Sequence, residues 1–115
     1  MNTLTEGEAM KFILGGLTYD TATSTTVAVA SGAYSPKESW DEDFPAQSVR
    51  FEDVLYRTAK GALFVHYHKT LKFDKGKPVV KDTADAIKPS DALRWIEVSS
   101  ARILDSTGLP LPDEA

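Results

Sequence analysis

The sequence predicts an α+β fold: an antiparallel sheet of four or five strands with one C-terminal helix packed on one face. Three stretches predict it. Residues 54–71 (VLYRTAKGALFVHYHKTL) read as two strands joined by a turn at Ala59-Lys60-Gly61. Residues 10–19 hold two short apolar runs separated by Gly15-Gly16, a strong hairpin signal. Residues 89–99 begin with Pro89, whose absent N–H costs nothing in a first helical turn.

Taken in order, residues 1–9 form a flexible lead-in, where the Thr5–Glu8 capping spacing is interrupted by Gly7. The runs at 10–14 and 17–19 follow. Asp20 stands where an N-cap or Asx-turn residue belongs, before TATSTT, which fits either a capped helical turn or a polar loop. Residues 25–33 read as a strand in which Val27 and Val29 alternate with Ala28 and Ala30, leaving room for another element to approach on the alanine face. Pro36 ends it, because proline cannot donate to a ladder. Residues 37–48 form the longest loop, carrying Trp40, Asp41, Glu42, Asp43 and Phe44.

In the central hairpin, Leu63, Val65, Tyr67 and Leu71 share the better core face. Phe64, His66, His68 and Thr70 share the other. A second turn lies at 73–77, and 78–81 add a short edge strand headed by Pro78. Residues 82–88 link to the helix, whose Leu93 and Ile96 share a face with Ala92 and Ser100, with Trp95 close by to pack on the sheet. The helix spans 89–99, with a continuation toward Ile103 and Leu104 left open. Thr107-Gly108 and two prolines stop it. The domain thus runs from 10 to 104, and 105–115 form an extended tail.

Composition narrows the classes. The chain has 115 residues, 42% apolar and 26% charged, which suits one soluble globular domain. It lacks cysteine, so disulfides, thiolate metal sites and a cysteine nucleophile are excluded, and a cytoplasmic location is favoured. No apolar run reaches the roughly 20 residues of a membrane span. The first ten residues lack the basic and apolar regions of a secretory signal. The net charge of −4 hides a contrast: residues 54–81 carry seven basic side chains and one acidic, whereas both flanks are acidic.

Several short motifs add to this. Tyr19-Asp20-Thr21, then Leu55-Tyr56-Arg57-Thr58 with Gly61, Phe64 and His66, and finally Pro89, Ala92 and Trp95 form a pattern. In that pattern the chain resembles a family of small uncharacterised proteins of bacteria, phages and integrated elements, with an LYRTxxGxxFxH hairpin. Val65 stands where many members have leucine. The resemblance implies a mobile-element setting, in which small proteins act by binding host or defence machinery.

Functional expectations follow from residue chemistry. No G-x-S-x-G elbow and no phosphate-loop pattern is present, so no catalytic residues, enzyme activity or cofactor are expected. His66 and His68, at i and i+2, point to one strand face. Zinc would need a carboxylate such as Glu52 or Asp53, and without a motif for the third ligand no metal site is assigned, a minor metal-dependent role standing as a further alternative function. The first expectation is a protein partner held by Trp40, Asp41, Glu42, Asp43 and Phe44, with the hairpin face of Arg57, Lys60, Phe64, His66 and His68 as the second place to look. An anti-defence inhibitor fits this description. The alternative partner is nucleic acid, held by the basic, aromatic hairpin at 54–81. The acidic pI of about 5.1 speaks against it.

Overall fold

The computed structural model describes residues 9–35 and 48–113. The fold is α+β. A five-stranded antiparallel sheet has the order β6-β5-β4-β3-β7, and β1 and β2 form a separate two-stranded sheet. The strands are β1 (Lys11–Leu14), β2 (Leu17–Asp20), β3 (Thr25–Tyr34), β4 (Ser48–Arg57), β5 (Leu63–Lys72), β6 (Val79–Ile87) and β7 (Arg102–Ile103). One helix, α1 (Pro89–Ser99), precedes β7.

β5 sits between β4 and β6 and alternates between two buried faces. On one face Leu63 and Val65 join Val27, Ala28, Leu55 and Ala92, against which Trp95, Ile96 and Leu109 pack. On the other, Phe64 joins Tyr19, Val54 and Tyr56, against which Phe12 and Leu14 pack. The face left open by sequence reasoning is therefore covered by the β1–β2 hairpin, and the sheet is sandwiched between that hairpin and α1.

Local chemistry explains the hairpins. Leu14 pairs with Leu17 across a two-residue loop, Gly15-Gly16, and both glycines have positive φ, as the type I′ geometry requires. The Met10 N–H donates to Thr21 Oγ1 and the Thr21 N–H donates to the Met10 carbonyl, closing the open end of this hairpin. Asp20 caps a single 3-10 turn, Thr21–Thr23, by accepting from the Ala22 N–H at 2.9 Å. At the central turn the Thr58 N–H donates to the Ala62 carbonyl, and Thr58 Oγ1 accepts from the Ala62 N–H.

Three sequence expectations change, and the helix keeps its expected span without the continuation that was left open. The strand at 25–33 does not alternate cleanly, because the β3–β4 register shifts between Thr26 and Ala28. Val27 is the extra residue of this bulge, so it packs beside Ala28 on the helix side while Val29 lies on the hairpin side. The alanine face does admit another element: Ala28 meets Ala92 of α1 in one buried cluster. The edge strand runs to Ile87 rather than Lys81, so most of the supposed link is strand. The helix stops at Ser99, because Ser100 is left-handed (φ 53°, ψ 40°). There the Ala101 N–H donates to the Ile96 carbonyl and the Ser100 N–H to Glu97, a Schellman closure. The chain then returns as β7 beside β3 rather than continuing the helix. Finally, the tail is anchored where it begins, through Asp105, Thr107 and Leu109.

Two stability outcomes follow. Ser100→Gly relieves a left-handed non-glycine residue and is expected to stabilise the fold by roughly 0.5–1 kcal/mol in urea unfolding. Phe64→Ala is expected to cost about 3–5 kcal/mol, the range for a fully buried aromatic. A cost near zero would mean that the β1–β2 hairpin does not cover this face in solution.

Candidate functional site

The register of β4, β5 and β6 assembles one polar row on the hairpin side. Glu52 pairs with His68, and His68 pairs with Asp82. His66 lies two residues along β5 on the same face. Asp82 Oδ1 is 2.8 Å from His66 Nε2 and 2.7 Å from His68 Nδ1, so one carboxylate oxygen accepts from both imidazoles. His66 is only 4% exposed, and the Phe12 ring lies over it with centroids 5.2 Å apart. His68 is partly exposed, with Thr70 Oγ1 at 3.5 Å from its Nε2. Burial pushes the Asp82 carboxyl up, but hydrogen bonds from His68 and His66, and then their charge, hold it below its ordinary value.

Beyond His68 the hairpin no longer covers the sheet. A trough of about 500 Å³ opens there, lined by Ser31, Gly32, Arg50, Glu52, His68 and Thr70. On the opposite face, Phe51 lies across Gly32, within 2.9 Å of where a Cβ would stand, so a side chain at position 32 would have to displace the ring. Asp53 also lies on that opposite face, paired with Ala30 and Tyr67. Its Oδ1 is buried without a hydrogen-bond partner. Desolvation raises its carboxyl pKa, against the lowering influence of Lys69 and His66.

The expected hairpin face divides into four environments. Phe64 is a core residue, stacked on Tyr56 with an interplanar angle of 21° and met edge-on by Tyr19. His66 and His68 belong to the polar row. Arg57 points to the helix side and holds the C-terminal segment: it donates to the Thr107 carbonyl at 2.7 Å and pairs with Asp105 at 2.9 Å. Lys60 lies at the turn, lining a second cleft of about 450 Å³ with Leu17, Asp20, Thr23 and Ser24. Trp40, Asp41, Glu42, Asp43 and Phe44 lie outside the described residues.

Of the two carboxylates considered beside the histidines, Glu52 does flank His68, while Asp53 faces the wrong side. Sequence reasoning missed Asp82 by placing it in a link. The signal was available in the turn at 73–77: a hairpin centred on residue 75 sets 68 opposite 82.

No protein-family model, curated protein or solved structure matches the chain. No helix among the described residues is long and apolar enough to cross a membrane.

The Arg57 clamp has a pH signature. Hydrogen bonds from the Thr107 side chain, then from Arg57 and the Thr107 backbone, hold the Asp105 carboxyl at about 2, against an ordinary 3.8. A depressed carboxyl stabilises the fold fully above its unfolded pKa, and that contribution is lost as pH falls through about 2. Arg57→Gln is expected to move the Asp105 midpoint upward in an NMR carboxylate titration. An unchanged midpoint would assign the depression to Thr107 alone.

Proposed function

We propose that the protein is a small non-enzymatic binding protein that takes a protein partner on the uncovered end of its sheet. One observation carries this reading. Among the described residues, the row Ser31–Glu52–His68–Asp82 and the rows beyond it belong to neither apolar cluster. The strand ends there expose Val80 (54%) on the trough side and Tyr34 (49%) and Val79 (42%) on the opposite face of the same sheet end. An exposed aromatic and two β-branched side chains next to mixed polar groups suit protein contact. The family resemblance supports a cytoplasmic host or defence protein as the partner.

The nucleic-acid alternative is weaker because the basic charge is divided. Arg57 is engaged by Asp105, and Lys60 sits at one end of β5. Lys69, Lys72, Lys75, Lys77 and Lys81 sit toward the other, along a strand of ten residues that spans roughly 33 Å. Phe64 and Tyr56, two of the aromatics that would stack bases, are buried.

Affinity capture with the full chain tests the reading. The wild type is expected to retain a discrete protein from host lysate after nuclease treatment. The double variant Tyr34→Glu/Val80→Glu is expected to lose about tenfold or more of it while keeping its melting temperature. Full retention by the folded double variant would remove this surface from the proposal. Retention that vanishes with nuclease or moderate salt would favour nucleic acid.

A further inference from the structure

We propose that His66, His68 and Asp82 form a binding site for a divalent transition-metal ion of the zinc type, at the border of the partner surface proposed above, with which it shares His68 and Asp82. Each residue offers one ligand atom, and the three atoms lie within 4.8 Å of one another. Side chains at i and i+2 share one face of a strand, so two imidazoles there can converge on a common point. That is what is found: His66 presents Nε2 and His68 presents Nδ1 to the same oxygen of Asp82.

The donor set selects the ion. Two imidazole nitrogens and one carboxylate oxygen suit zinc and its first-row neighbours, whereas magnesium and calcium take oxygen ligands. A tetrahedral ion with bonds of about 2.0–2.1 Å keeps its ligand atoms roughly 3.3–3.4 Å apart. The two nitrogen–oxygen separations of 2.7 and 2.8 Å need to widen by about half an ångström, and the two nitrogens, within 4.8 Å of each other, have to meet the same spacing. Binding replaces the two N–H···Oδ1 hydrogen bonds with metal–nitrogen bonds. Ligation requires each ring in its neutral form with the proton on the nitrogen turned away from the ion, His66 Nδ1 and His68 Nε2, and any additional proton leaves to solvent. His68 Nε2 then has Thr70 Oγ1 near it as an orienting partner.

The surroundings fit a site closed behind and open in front. His66 is buried under Phe12, so the rear of the site is fixed. The front faces the trough, where Glu52 flanks His68 and stands next in line to complete the coordination with water. The register of three long strands holds all these positions, so the ligands come from the rigid part of the molecule.

The full chain, stripped with chelator, is titrated with zinc by calorimetry and with cobalt by visible absorption. One ion per chain is expected, with micromolar or tighter affinity, a cobalt d–d band, a raised melting temperature and no response to magnesium. His68→Ala and Asp82→Ala are expected to weaken binding by at least about tenfold. Asp85→Asn, on the opposite face, leaves it unchanged. His68→Gln keeps a hydrogen-bonding side chain beside Asp82 but removes the imidazole, so it should remain folded and lose the metal. No zinc or cobalt binding by the wild type would overturn the proposal, and so would wild-type affinity in a folded His68→Gln or Asp82→Ala protein.

Discussion

Everything in this molecule is referred to β5, which is hydrogen-bonded along both edges and buried on both faces over the half nearest the central turn. A strand in that position cannot slip by one residue without exchanging Leu63 and Val65 for Phe64 and His66. The helix-side cluster accepts aliphatic side chains beside Ala28 and Ala92, and the hairpin side accepts the aromatic stack of Tyr19, Tyr56 and Phe64. The two faces are chemically distinct, and this distinction fixes the register of β4 and β6 on either side. The polar row of Glu52, His68 and Asp82 is a by-product of that register. Its geometry is set by packing that occurs several residues away.

Much of the fold was legible because it is encoded locally. Gly15-Gly16, Gly61 and Pro89 each mark a boundary through backbone chemistry, and α1 has the bounds its sequence suggests. What could not be read was decided by distant contacts. The bulge at Val27 breaks the alternation of β3, and nothing local at 25–30 announces it. Ser100 adopts a conformation usually reserved for glycine, because the chain must turn back to place Arg102 and Ile103 along β3. The N-terminal hairpin is clear in sequence, but its position over Phe64 depends on a face match between two separate sheets.

The same division holds for the site. Paired histidines at i and i+2 are visible in the primary structure, and their shared face is a necessity of strand geometry. Their carboxylate partner is legible only indirectly, through the turn at 73–77, because Asp82 enters through the pairing of β5 with β6 and that depends on how far the edge strand extends. Charge was a poor guide in this region. Arg57 contributes to the basic count of the hairpin, yet its guanidinium is consumed by Asp105 and the Thr107 carbonyl. A linear charge profile cannot distinguish a cation available to a ligand from one already neutralised by the chain itself.

The short strand β7 also bears on the order of assembly. The outer edge of β3 gains partners at Val27, Ala28 and Val29 when the β7 segment arrives: Ile103 and Arg102 pair with Ala28 and Val29, and the Leu104 and Asp105 N–H groups donate to the Val27 carbonyl. These are among the contacts most distant in sequence in the fold, so their loop closure carries a large entropic cost and comes late. Until then this part of β3 is an unpaired β edge. The Val27 bulge lies on that edge and interrupts the regular spacing of its donors and acceptors, which disfavours intermolecular strand pairing. An irregularity that looks like a packing compromise in the finished protein thus acts as a safeguard during its formation.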